Sequence, residues 1–239
     1  MRPPKQFLTA EWRWLAMLNY EIDPALLRPF VPQGTELDSW NGRTFASMVG
    51  FLFLNTRVCR VPIPFHRNFE EVNLRFYVRR KAEDGWRRGV VFVKEIVPRF
   101  AIAAVARFAY NERYVSLPMR HVVENHGSGV SAAYQWRYRN CWHSLSVVAD
   151  GEPQPIAVDS QEEFITEHFW GYAAQRDGSA VEYRVEHPRW RVWKAREATF
   201  KCDVSALYGQ PFVEGLKAEP GSAFLAEGSP VTVYQGLRV

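Results

Sequence analysis

The residues best suited to chemistry lie in the run Glu70-Glu71-Val72-Asn73-Leu74-Arg75, where an acid, an amide and a guanidinium alternate with apolar side chains. Side chains alternate across a β-strand, so Glu71, Asn73 and Arg75 share one face if this run is extended. Lining an enclosed interior, that face would offer a proton-transfer group, a hydrogen-bonding amide and an anion holder. Facing water, it would be an ordinary cross-strand charge ladder, and the pattern by itself favours water. Arg107 ends the small-residue run 101–106. A charge in such a place must be solvated, paired or bound to an anion, with pairing inside the protein as the plainer reading.

Other chemistries find less support. There is no Gly-rich phosphate loop, Gly-x-Ser-x-Gly elbow or His-Glu-x-x-His helix. Of the six histidines only His121 and His126 are close, and their spacing suits neither one helix face nor one strand face, so no metal is expected. His168 falls on the apolar side of a predicted helix and reads as a satisfied core residue. Cys59, Cys141 and Cys202 are odd in number and far apart, which argues against a disulfide framework and predicts buried free thiols. Lys94 lies in the apolar run 90–97 and shares a strand face with Phe92 and Ile96, which would allow it to point inward; snorkelling outward near a sheet edge is the expectation.

Positioning these groups falls to strands. The chain has 16 Phe, 10 Tyr and 9 Trp, residues that suit pleated, half-buried surfaces. Trp12, Trp14, Ala16, Leu18 and Tyr20 alternate imperfectly with Arg13, Leu15, Met17 and Asn19. Asp23-Pro24 reads as cap and first residue of a short helix closed by Pro29 and Pro32. Asn41-Gly42 predicts a hairpin joining 37–40 to the apolar strand 45–54. Val72, Leu74, Phe76 and Val78 alternate with the polar face, and Asp84-Gly85 turns the chain into 90–97; with 100–110 this predicts a three-stranded antiparallel meander. Tyr134, Trp136, Tyr138 and Trp142 read as one strand that ends at Asp150-Gly151. Ser160 with Glu163 forms a capping box for a helix carrying Phe164, Ile165, His168, Phe169 and Tyr172 on one face. Strands follow at 181–186, 189–194 and 231–237. The 239 residues suit one large domain, 1–239, of mostly antiparallel β structure with one or two packed helices.

The net charge of +4 comes from 30 basic and 26 acidic residues that are interleaved. Arg79-Arg80-Lys81 and Arg87-Arg88 flank one predicted turn, yet no basic stripe of the kind nucleic-acid binders carry is recognisable. The N-terminal stretch has no signal-peptide pattern, and no apolar run reaches the roughly 20 residues of a spanning helix. A cytoplasmic protein without membrane or nucleic-acid partners is expected.

Several segments carry a resemblance. Residues 17–37, with Tyr20, Asp23, Leu27, Val31-Pro32 and Glu36-Leu37, resemble the N-terminal portion of acetoacetate decarboxylases, and Phe69-Glu70-Glu71 is similar to their entry to an active-site strand. Glu71-Val72-Asn73-Leu74-Arg75, Phe164-Ile165-Thr166-Glu167 and His187-Pro188-Arg189-Trp190 look closer to the YqjF-like family, DUF2071, of uncharacterised bacterial proteins, over roughly 7–237. The resemblance implies an α+β, mostly antiparallel β fold, the acetoacetate decarboxylase-like β-cone or double barrel, with an apolar pocket and commonly a homo-oligomer. Glu71 would match the decarboxylase's active-site glutamate, and Arg107 the arginine of its Gly-Arg-Glu segment, here flanked by Ala106 and Phe108. The decarboxylase's Schiff-base lysine opens a Pro-Lys-Lys run. Counted from Arg107 that run falls on Arg113-Tyr114-Val115, and anchored on the proline it falls on Pro118-Met119-Arg120; neither supplies a lysine.

Imine chemistry needs a neutral amine, which arginine cannot provide. The leading expectation is therefore a small-molecule ligand, a small carboxylate or keto acid, held without a Schiff base and without a cofactor by Glu71, Asn73, Arg75, Arg107 and Tyr114. Glu71 is the candidate catalytic group. A decarboxylase-like lyase or hydratase using Lys94 or Glu71, and an interaction domain presenting Trp136 and Trp142 to a partner, are the competing expectations.

Overall fold

A computed structural model of the protein describes residues 5–98 and 113–239. The run 100–110 and Arg107 lie outside the described residues. The strands are β1 (Gln6–Glu21), β2 (Glu36–Leu37), β3 (Phe45–Val58), β4 (Val61–Pro62), β5 (Phe69–Ala82), β6 (Gly85–Val97), β7 (Tyr114–Ser116) and β8 (Met119–Asn125). They continue with β9 (Gly129–Tyr138), β10 (Cys141–Asp150), β11 (Gln154–Pro155), β12 (Trp170–Ala174), β13 (Ala180–Glu186), β14 (Arg191–Lys201), β15 (Ser222–Tyr234) and β16 (Leu237–Arg238). Four short α-helices accompany them among the described residues: α1 (Pro24–Leu27), α2 (Gln161–Thr166), α3 (Val204–Leu207) and α4 (Val213–Lys217).

The main path of the sheet runs β16-β13-β12-β6-β5-β3-β1-β15-β14-β10-β9-β8, and β13 also pairs with β15. That extra pairing, Val185 to Val233 and Glu186 to Thr232, closes a circuit through β1, β3, β5, β6, β12, β13 and β15. Nearly all pairings are antiparallel; β6 pairs in parallel with β12 and with β7. The architecture is the strand-rich, helix-poor one expected.

The sheet separates two apolar clusters. On one face of β5, Val72, Leu74, Phe76 and Val78 join Ala16, Met48, Tyr134, Trp136, Leu145 and Val147 in a core covered by β8–β10 and α3–α4. On the other face, Phe69 and Tyr77 join Phe45, Val49, Phe51, Phe53, Phe164, Ile165 and Trp190. Gly50 lets β3 approach β9, because a Cβ there would lie 2.6 Å from the Tyr134 ring. β3 therefore buries both faces over residues 45–53 and reads as a nearly continuous apolar stretch.

Two bulges decide which side chains face which core. In β1, Trp14 has φ 57°, and the register against β3 shifts between Arg13 and Ala16. Trp12 and Leu15 consequently share the second cluster, whereas Trp14 stacks on Trp193 at 5.9 Å on the other side. The simple alternation of Trp12 with Trp14 is thus corrected. Between β5 and β6, Leu74 pairs with Lys94 and Arg75 with Phe92, leaving Val93 as the extra residue.

Local signals behave largely as their chemistry dictates. Asp23 caps α1 by accepting from the Ala25 N–H at 2.8 Å. Ser160 caps α2 by accepting from the Glu163 N–H at 3.1 Å. Other expectations are corrected. Asn41 and Gly42 do turn the chain with φ 51° and 77°, but β2 pairs with β5, not with β3. The run 134–150 is two strands, because Arg139 and Asn140 adopt φ 46° and 62° and make a hairpin turn. Helix α2 stops at Thr166, since Trp170–Ala174 is claimed as a strand by β6 and β13. Cys59 and Cys141 are exposed and Cys202, which packs against the first cluster, is half-buried, so the expectation of three buried thiols is corrected; all three are unpaired.

Candidate functional site

The second cluster surrounds a cavity of about 130 Å³. Its walls are chiefly aromatic and aliphatic, and Glu71, Asn73, Arg75, Glu95, Tyr114, Thr166, His168 and His187 contribute the polar surface. The solvent-facing reading of the β5 polar face is overturned: Glu71 and Asn73 are 2% exposed and Arg75 9%. The face turns inward because β3 and β6 flank β5 on its two edges and the chain from α2 to β12 closes over it, bringing the Ile165 carbonyl to Arg75 and Thr166 to the cavity.

Within the cavity the strand period sets the order. Glu71 Oε1 accepts from Asn73 Nδ2 at 2.9 Å, and Glu71 Oε2 accepts from the Tyr114 hydroxyl at 3.2 Å. Tyr114 arrives by the parallel pairing of β7 with β6, Tyr114 opposite Glu95. Burial drives the Glu71 carboxyl up to about 7, against the hydrogen bonds from Asn73 and Tyr114 and the charge of Arg75. A carboxyl poised there can both hold and release a proton near neutrality.

Arg75 donates from Nη2 to the Ile165 carbonyl at 3.3 Å, but its Nε has no hydrogen-bond partner among the described residues, and neither has Asn73 Oδ1. None of the ion pairs among the described residues involves Arg75. A guanidinium stays protonated in any such site, so this is a buried cation with donors still available.

Lys94 is elsewhere. The bulge at Val93 turns Phe92 and Glu95 into the cavity and leaves Lys94 on the opposite face, so the shared face with Phe92 is corrected. Lys94 is half-buried, not snorkelling from an edge: its Nζ donates to the Leu207 carbonyl and lies 5.8 Å from the Tyr208 ring. Burial, helped by the charge of Arg113, lowers its pKa. All six lysines of the chain fall among the described residues, and none of them lines the cavity.

Sequence reasoning missed Glu95, His168 and His187. Glu95 reaches the cavity only through the bulge, which no residue pattern announces. His168 is buried but does not behave as a satisfied core side chain, for both ring nitrogens lack hydrogen bonds among the described residues. His187 stacks on Trp190 with ring centres 4.3 Å apart and donates from Nδ1 to the Pro188 carbonyl, 3.0 Å away. The segments 71–75, 164–167 and 187–190 thus meet at one cavity. By contrast, the basic residues flanking the β5–β6 turn are taken up by carboxylates: Arg79 by Glu36, Arg80 and Arg87 by Glu182, Arg88 by Asp38. Trp136 is buried whereas Trp142 is 43% exposed, beside Arg120. No helix among the described residues is long and apolar enough to cross a membrane.

Comparison with known proteins agrees with this picture. Residues 9–230 match the profile of DUF2071, described as an uncharacterized conserved protein. The uncharacterized protein YqjF of Bacillus subtilis (strain 168) is 39% identical over 207 residues, covering 82% of this chain and 78% of its own. Among solved structures, the acetoacetate decarboxylase of Legionella pneumophila is similar with a TM-score of 0.67, covering 100% of this chain and 92% of its own at 13% identity. The enduracididine biosynthesis enzyme MppR, complexed with pyruvate, gives a TM-score of 0.68 over 100% of this chain and 91% of its own at 14% identity. Likeness at such identities concerns the fold alone.

Proposed function

The chain belongs to the DUF2071 family, and from that membership and the chemistry of its cavity we propose that it binds a small carboxylate or 2-oxo acid without a covalent link. The observation that carries this reading is the buried Arg75, whose Nε has no partner among the described residues, on a cavity with chiefly aromatic and aliphatic walls. A buried cation engaged in no ion pair is costly, and an incoming carboxylate supplies both the charge and the acceptors. The size agrees: about 130 Å³ is close to the roughly 150 Å³ that accommodates benzene, so a ligand of six or seven heavy atoms fits. A protein of similar fold is complexed with pyruvate, a molecule of that size.

Glu71 gives the site a chemical capability beyond binding. Facing the same cavity at about 7, it can take a proton from a carbon next to a carbonyl and return it, with Tyr114 and Asn73 holding the carboxyl in place. An imine route has no amine to start from, because no lysine lines the cavity. Arg107, expected as the anion holder, lies outside the described residues, and Arg75 takes that role in this reading.

The test is a calorimetric titration with pyruvate, acetoacetate, acetate and a neutral control such as acetone. Saturable binding of the acids is expected, weakened at least about 30-fold in Arg75→Met, the loss for removing one side of a buried charge pair. Equal affinity for acetone and pyruvate, or an Arg75→Met protein that binds pyruvate normally, sinks the reading.

A further inference from the structure

We infer that His168 is a second donor to the ligand's acid group, working beside Arg75, and that Asp38 holds its ring in place. The inference rests on the carboxylate reading of the cavity and deepens it. His168 lies just past α2, on the segment that also brings the Ile165 carbonyl to Arg75 and Thr166 to the cavity wall. Its side chain is 1% exposed, it lines the cavity, and neither ring nitrogen has a hydrogen-bond partner among the described residues. A buried imidazole left in that state loses the hydrogen bonds water would give it, which native interiors seldom tolerate without a reason. Arg75 presents the same deficit on the same cavity. Once its ring is protonated, His168 joins Arg75 as a donor on the same cavity, and a carboxylate can take a hydrogen bond from each.

The surroundings fix which nitrogen does the work. Asp38 Oδ2 stands 3.6 Å from His168 Nε2, longer than a hydrogen bond but close enough to orient the ring, and Arg88 Nε anchors the same Asp38 oxygen at 2.6 Å. Tyr77 at 4.7 Å and Phe164 at 5.2 Å between ring centres flank the imidazole. Nε2 is therefore turned to Asp38, and Nδ1 is the ring nitrogen with no charged partner among the described residues. The charged groups facing the ring are Asp38, Arg88 from β6 and Arg75 from β5. Burial holds its pKa down to about 4, with Arg88 and Arg75 adding to the effect and Asp38 opposing it. The ring is therefore neutral near pH 7, with its single N–H directed at Asp38. An anion placed between Arg75 and His168 cancels part of the repulsion from Arg75, raises the imidazole's pKa and makes binding take up a proton as the pH falls.

The experiment uses pyruvate as the probe. His168→Phe keeps the ring's size and removes the donor, and pyruvate affinity is expected to drop about 10-fold, the loss of one hydrogen bond to a charged group. His168→Gln keeps a donor and is expected to lose clearly less. On the unaltered chain, ring-15N-histidine labelling should show one imidazole shifting on pyruvate saturation, a readout that does not depend on any variant folding. Unchanged affinity in His168→Phe, or six imidazoles indifferent to saturating pyruvate, overturns the inference while leaving the Arg75 reading intact. Absence of pyruvate binding by the unaltered chain removes both.

Discussion

Replacing Glu71 by Gln should make the protein more stable at alkaline pH and change little at acid pH. A carboxyl that ionises near 4.5 in the unfolded chain and at about 7 in the folded one binds a proton more tightly when folded. Its contribution is fully present below pH 4.5 and is lost as the pH rises through about 7. Over that window the charged form costs the fold about 3 kcal/mol, which Gln never pays because it has no proton to lose. Gln can still accept from Asn73 and donate to Tyr114, so hydrogen-bond and packing differences add a constant that does not vary with pH. Urea denaturation of both proteins at several pH values between 4.5 and 8.5 reads the difference directly. The stability gap should widen toward alkaline pH, by about 3 kcal/mol in favour of the variant, and level off above neutrality. A gap that stays flat across the range would refute a buried Glu71 with a raised pKa, and with it the proton-transfer role.

Three further outcomes follow from the same geometry. Arg75→Met, filling the space with an apolar chain, should raise stability by about 1–3 kcal/mol in urea titrations while abolishing carboxylate binding, if the buried cation serves a ligand, as proposed, and not the fold; a large loss of stability would show a structural counter-charge instead. Gly50→Ala should lower stability by about 1–3 kcal/mol, since its new Cβ meets a Tyr134 ring that is itself fully buried and tied by its hydroxyl to the Trp14 carbonyl; an unchanged urea midpoint would mean that β3 and β9 are less closely apposed. Ser160→Ala should cost about 1 kcal/mol through the lost cap of α2, and a neutral result would remove the cap from the account.

How much the sequence disclosed depended on the range of the interaction. Caps and turns written in two to four neighbouring residues, such as Asp23-Pro24, Asn41-Gly42 and Ser160 with Glu163, were legible because their hydrogen bonds are local. The alternation of β5 correctly placed Glu71, Asn73 and Arg75 on one face. Which way that face looked was not legible, for it depends on α2 and β12 arriving from about ninety residues downstream, as Arg75 and Ile165 show. The bulges at Trp14 and Val93 were equally hidden, because a strand with one extra residue has the same composition as a regular one. Yet the Val93 bulge is what separates Lys94 from Glu95 and decides whether an amine reaches the cavity. The turn at Arg139-Asn140 lacked a glycine to mark its positive φ values, so two strands read as one. Resemblance to the family supplied what local chemistry could not, since its three segments prove to be neighbours in space.

The central claim, an acid held by charge and never linked as an imine, is tested most directly by carbon-13 NMR of pyruvate labelled at its keto carbon, with the protein in excess. The account predicts a bound signal that stays in the keto region and disappears in Arg75→Met. A bound signal shifted into the imine region, or a protein that leaves the labelled carbon as it is in buffer, contradicts it.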